Sequence, residues 1–274
     1  MGKFDGMLIV SDLDGTFLGK GARIVPENLE AIKRFTSEGG LFTFATGRSP
    51  HAITSTLGEA FELANAPAIL VNGSVFYDYN KRRLFDEEFS DAGVLREIIS
   101  YAKANYPEIE FRIASGEGQF TDSIDGPKLS KENALFGGYT VYPFEEIPEC
   151  GWYKCVFCGE VDTLAKIREA LEPKYSSEHV FFESEAGLLE IQRKGTSKAS
   201  KMLMLKQKYA DEGRPVTVYA CGDYENDYEM LKAADVAVCP TNALESIRAI
   251  ADISPCDNDE GLIAALIDII ESKL

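Results

Sequence analysis

Met7-Leu8-Ile9-Val10-Ser11-Asp12-Leu13-Asp14-Gly15-Thr16 is an apolar run that stops at two carboxylates and a glycine. Leu8, Ile9 and Val10 have the continuous hydrophobicity of a strand covered on both faces, as in parallel sheets. Asp12 leaves the sheet at the strand's carboxyl end. Asp14, two residues on, points the same way if the chain stays extended. Gly15 lets the backbone turn tightly and face its N–H groups toward an anion. Two acids this close in a crevice repel unless a cation or a shared proton relieves them, so the stretch calls for a divalent metal. The plainer alternative is an acidic turn after a strand.

The chain around it has 274 residues, room for one large domain or two smaller ones. An apolar share of 45% is ordinary for a water-soluble fold. No apolar run approaches the ~20 residues of a membrane span; the best candidate, 261–270, is broken by Asp268. No basic stretch followed by a long apolar core opens the chain, so no signal peptide is expected. Cys155 and Cys158 have metal-ligand spacing, but no second pair completes a zinc site. The six cysteines therefore read as buried free thiols in a reducing cytosol. The net charge of −17 opposes a nucleic-acid surface. It does not oppose a small phosphorylated substrate, because a metal and one or two lysines set the local field.

Going along the chain, helical spacing covers 27–38, with Pro26 in the first turn and Gly39-Gly40 at the stop. A buried strand at 41–45 ends at Thr46-Gly47-Arg48, where a hydroxyl and a glycine before a helix suit a phosphate or a plain N-cap. His51 reads as a helix-surface residue. A third strand, 68–71, ends at Asn72-Gly73, and a hairpin follows around Asp78-Tyr79-Asn80-Lys81. Strand alternating with helix predicts a doubly wound α/β core with a mostly parallel, Rossmann-like sheet. From about Leu84 the pattern changes. Residues 84–190 hold 22 acids against 9 bases, most of the chain's negative excess. Helices at 94–105 and 162–171 alternate there with strands at 110–114, 152–158 and 180–192, the last broken near Glu185-Ala186-Gly187. This predicts a smaller α/β unit, 84–190, inserted between core segments 1–83 and 191–274. Within it Arg112, Tyr139, Tyr142 and Trp152 read equally as pocket lining or packing. Strands at 216–221 and 236–239 and a helix at 261–272 close the core. The strand at 216–221 ends at Gly222-Asp223-Tyr224-Glu225-Asn226-Asp227.

Four of these segments together resemble the haloacid dehalogenase (HAD) superfamily. Asp12-x-Asp14-Gly15-Thr16 resembles its first motif and Thr46 its second. Lys198, in Gly195-Thr196-Ser197-Lys198, matches the lysine of Cof-type members, although Ala199 stands where a glycine is usual. Gly222-Asp223-x-x-Asn226-Asp227 matches the fourth motif residue for residue. The resemblance spans the chain and implies the α/β cap of the Cof-type phosphatases for the insert. Lys194 and Lys201 flank the matching lysine and read as solvated. Since Asp12, Thr46 and Asp223 each follow the carboxyl end of a buried strand, a parallel sheet brings them to one edge.

The resemblance implies phosphoryl transfer, which needs positioning and charge neutralisation. Mg²⁺ suits oxygens from Asp12, Asp223 and the backbone carbonyl near Asp14. Asp12 is the expected nucleophile, giving an aspartyl phosphate, and Asp14 the general acid and base. Thr46, Gly47, Lys198 and Asn226 are expected to hold phosphate, with Asp227 orienting Lys198 or the loop. The expectation is a Mg²⁺-dependent cytoplasmic phosphatase of a small phosphorylated metabolite, a sugar phosphate first, with neither nucleic acid nor membrane as partner. The inserted unit is expected to close over the site and read the leaving group. A phosphomutase, a dedicated disaccharide-phosphate phosphatase and a non-catalytic phosphate-binding module are the alternatives.

Overall fold

In the computed structural model, which describes residues 2–136 and 138–274, the strand Met7–Ser11 lies inside a four-stranded parallel sheet. Thr217–Cys221 flanks it on one side and Leu41–Phe44 on the other, with Val236–Val238 outermost beyond Thr217–Cys221. Ser11 pairs with both Cys221 and Phe44, so three strands end level. That register carries Asp12, Ala45-Thr46 and Gly222-Asp223 off the same edge. The continuous apolar run explains why the strand is covered on both faces. Leu8 and Val10 pack with Ala199, Met202, Leu205 and Met230 from the helices Lys198–Asp211 and Tyr228–Ala233. Ile9 lies on the opposite face of the strand and is equally buried. The helices Pro26–Ser37 and Leu262–Glu271 pack against each other. The third expected strand, Ala68–Leu70, joins the sheet through a single parallel bridge, Ala45 to Ile69, and otherwise belongs to an antiparallel trio with Val75–Asp78 and Arg83–Phe85.

The chain divides into two compact units. The first holds residues 1–47, 56–86 and 197–274, and the second holds 48–55 and 87–196. These bounds move the expected cuts at 83/84 and 190/191. Arg83–Phe85 pairs with the hairpin of the first unit, and Leu188–Arg193 is one unbroken strand that a cut at residue 190 would split.

The second unit is built on a six-stranded, mostly antiparallel sheet. The helices Ala92–Asn105 and Val161–Tyr175 bury Phe111, Ile113, Cys155, Phe157, Leu189 and Ile191 on one face. Trp152 belongs to that core and Tyr142 packs against it. Arg112 pairs with Glu132 at 3.2 Å, and the Tyr139 hydroxyl donates to Glu132 at 2.6 Å. So all four aromatic and basic residues in question have packing or ion-pair partners inside this unit. The buried Lys154 ammonium pairs with the equally buried Glu190, whose carboxyl burial pushes up but Lys154 holds below the ordinary range. All six cysteines are free. The His51 side chain lies outside the described residues. Among the described residues no helix is long and apolar enough to cross a membrane.

Candidate active site

Asp12 stands one residue past the end of its strand, with its N–H donating to the Cys221 carbonyl at 2.9 Å. This continues the sheet ladder and fixes the backbone while the side chain turns out of the pleat. The Lys198 ammonium donates to Asp12 Oδ1 at 2.5 Å and to Asp227 Oδ1 at 2.7 Å. Lys198 is fully buried at the start of its helix, where Ser197 and Ser200 form a reciprocal cap. The other oxygen of Asp227 accepts from the N–H groups of Asp223 at 3.0 Å and Tyr224 at 3.3 Å. Asp227 therefore ties the lysine to the turn that presents Asp223. Asp223 in turn accepts from the Thr16 hydroxyl at 2.7 Å. Gly15 has φ +78, and a Cβ there would fall 2.3 Å from Asp223 Oδ2, so only glycine lets the first loop lie against this carboxylate.

Thr46 is buried and its carbonyl accepts from the Asn72 N–H at 2.9 Å. Gly47 lies beside the Asn72 amide, where a Cβ would come within 3.0 Å of Oδ1. That same oxygen accepts from the Asn226 amide at 3.3 Å. Thr46, Gly47, Asn72 and Asn226 thus line up next to Asp227, Lys198 and Asp12. Asn72 was not among the expected site residues. Val71, Asn72 and Gly73 have φ of 51, 51 and 92, and a β-branched residue in that region stores strain. The turn abuts the start of the Lys198 helix, since a Cβ on Gly73 would meet the Ser197 carbonyl at 2.1 Å. The signal for Asn72 was present in the sequence as Asn-Gly at a buried strand's carboxyl end.

One expectation changes. Lys201 is buried rather than solvated, because its ammonium donates to the Asp86 carbonyl at 2.9 Å and carboxylate at 2.6 Å. Lys194 is exposed and caps the Ser176 carbonyl at 2.9 Å. Asp14 is exposed, and its carboxylate stands outside the acidic cluster that the fold assembles, which is Asp12, Asp223 and Asp227.

That cluster fits a hard divalent cation. One oxygen from each carboxylate lies within 4.8 Å of the others, and carboxylate oxygens are the donors Mg²⁺ prefers. Both oxygens of Asp227 are engaged by Lys198 and backbone N–H groups, so Asp12 and Asp223 are the residues that would hold the ion. Electrostatics point the same way. Burial, then the Asp227, Asp223 and Asp14 carboxylates, push Asp12 well above the usual range, with Lys198 pulling against them. Burial and Asp227 push Asp223 up to about 7. A metal-free fold therefore carries protons here that the unfolded chain releases near pH ~4. Stability then falls as pH rises from about 4 to about 7. A cation favours the ionised pair and reverses this. Adding MgCl₂ is expected to raise Tm by several degrees at pH 8 and by little at pH 5, read by thermal melts. Equal shifts at both pH values would refute the site.

The fold is of the doubly wound α/β type with an acidic cluster at the carboxyl edge of its parallel sheet. A family model described as haloacid dehalogenase-like hydrolase matches residues 9–267, and the chain belongs to that family. It is 26% identical to the 5-amino-6-(5-phospho-D-ribitylamino)uracil phosphatase of Bacillus subtilis over 95% of this chain and 96% of that one. It is also 26% identical to the chloroplastic endoribonuclease YBEY of Arabidopsis thaliana, over 93% of this chain but only 45% of that protein, so it spans less than half of that relative. A solved haloacid dehalogenase-like hydrolase from Bacteroides thetaiotaomicron superposes with a TM-score of 0.83 at 25% identity, over 98% of this chain and all of that one.

Proposed function

We propose that this hydrolase is a Mg²⁺-dependent phosphatase that transfers phosphate from a small monoester to Asp12 and then to water. The observation that carries the reading is the buried Lys198 ammonium held between Asp12 and Asp227 at the carboxyl edge of the sheet. It keeps one Asp12 oxygen fixed and leaves the nucleophile beside a cationic, helix-N-terminal environment that favours an incoming dianion. When bound, Mg²⁺ supplies charge neutralisation for the phosphoryl oxygens. Thr46, Gly47 and Asn226 orient those oxygens. Asp14, exposed at the mouth of the loop, gives a proton to the departing oxygen and takes one from the attacking water. The Bacillus relative's name supports a substrate of the sugar-phosphate class, since a phosphoribityl group is a polyol phosphate.

The test is phosphate release from p-nitrophenyl phosphate with Mg²⁺ and with EDTA, followed by a panel of phosphorylated metabolites ranked by kcat/KM. Turnover is expected only with metal, and highest for a polyol or sugar phosphate. Binding of phosphate with no turnover of any ester would favour a binding module instead. Asp14→Asn is expected to lower kcat on the best metabolite by about 10²–10⁴, measured by single-turnover kinetics.

A further inference from the structure

Asn72 belongs to none of the four motif segments, yet it stands between two of them. Its backbone N–H donates to the Thr46 carbonyl at 2.9 Å, which seats it against the second motif. Gly47 lets the amide come alongside, since a Cβ there would lie 3.0 Å from Asn72 Oδ1. The same Oδ1 accepts from the Asn226 amide at 3.3 Å, which joins it to the fourth motif, 154 positions away.

The two asparagines are held differently. Asn72 is buried on a tightly determined backbone, with φ 51 and ψ 36. Asparagine is among the few residues besides glycine at ease in that region. The Ser74 N–H closes the turn on the Val71 carbonyl at 3.1 Å, and Gly73 packs against the Ser197 carbonyl. Asn72 Oδ1 is thus a fixed acceptor. Asn226 is half-buried in the short turn Glu225–Asp227. Its amide carries two N–H donors and one oxygen. A bond from one N–H to Asn72 sets the plane of that amide, and the plane decides which end faces an anion. Only the second N–H attracts phosphate, whereas the oxygen turned that way repels it.

We infer that Asn72 is a positioning residue: by accepting one N–H of Asn226 it turns the other toward a phosphoryl oxygen. The inference rests on the role given to Asn226 in the phosphatase reading above. It makes the worth of Asn226 depend on an acceptor at position 72.

The test measures Asn226→Ala in three backgrounds: the parent, Asn72→Asp and Asn72→Gly. Aspartate keeps the shape and the acceptor, and any repulsion its charge exerts on phosphate cancels when the two chains of one background are compared. Glycine suits the positive φ and removes the acceptor. The readout is the dissociation constant of inorganic phosphate by calorimetry with Mg²⁺ present. Asn226→Ala is expected to weaken phosphate about tenfold in the parent and about tenfold in Asn72→Asp, as for a lost bond to a charged partner. In Asn72→Gly it is expected to cost under about twofold, because the amide is already unaimed. The same pattern is expected in kcat/KM on the best metabolite. A tenfold loss in all three backgrounds overturns the positioning role, as does no loss in the parent. Disappearance of the effect in Asn72→Asp overturns it too, and that arm stands even if the glycine variant melts below the assay temperature. Binding of phosphate by a parent that hydrolyses no ester makes the phosphatase reading fail by itself, while the calorimetry still decides the asparagine pair.

Discussion

Replacing Asp12 by Asn is expected to abolish turnover, by about 10⁴-fold or more in kcat, while inorganic phosphate still binds. The amide keeps the shape of the side chain and removes the anionic oxygen that would attack phosphorus. Nothing else nearby can take its place. Asp227 is committed to Lys198 and to two backbone N–H groups, and Asp223 accepts from the Thr16 hydroxyl. The change also relieves repulsion. Burial and three neighbouring carboxylates already disfavour charge on Asp12, so the variant should melt no lower, and in EDTA higher, than the parent. Inactivity with retained or raised Tm separates chemistry from damage. A lowered Tm with weakened phosphate binding would assign Asp12 a structural task instead. Near-normal turnover would remove it as nucleophile.

Three of the four motif segments were readable in the sequence because each pairs a buried strand with an unusual residue at its carboxyl end, whereas Lys198, which opens a helix, was reached through the family resemblance. Strand apolarity gave the sheet, and the sheet gave convergence. That is why Asp12, Thr46 and Asp223 emerge from one edge when Ser11, Phe44 and Cys221 stand in register. The insert's 152–158 strand was equally plain, since seven consecutive residues are buried. What stayed hidden depends on partners distant in sequence. Asn242 is an ordinary turn residue until its amide is seen on Gly15, 227 positions away. Lys201 looked like surface because nothing local shows that Asp86, 115 positions earlier, meets its ammonium. The two-residue strands Leu18–Gly19 and Arg23–Ile24 are too short to show any period. Strands 119–121 and 139–141, three residues each, escape for the same reason. Val71 gave no local sign of its left-handed backbone, because valine avoids that region.

Lys198→Met is expected to cost stability as well as activity. The lysine is the only cation among the described residues bonded to Asp12 and Asp227, and its ammonium is wholly buried between them. Burial alone would push its pKa down, but the two carboxylates more than offset this and hold it above its ordinary value. Methionine fills the same space and leaves the acids uncompensated. Removing one member of a buried ionic group costs about 3–5 kcal/mol. At low pH the stranded carboxylates take up protons, which lessens the loss. As pH rises the unfolded chain ionises its carboxylates freely and the folded one cannot, so stability declines further. Melts should therefore show a larger Tm deficit at pH 8 than at pH 5. Mg²⁺ should return part of the deficit at pH 8, since a second cation can pair with Asp12. Asp227→Asn placed in the same chain should return another part, making the double variant more stable than the single one. A Tm within a degree of the parent at pH 8 would show that these acids do not depend on Lys198. Turnover would then have to be explained without the fixed Asp12 oxygen on which the nucleophile's aim depends.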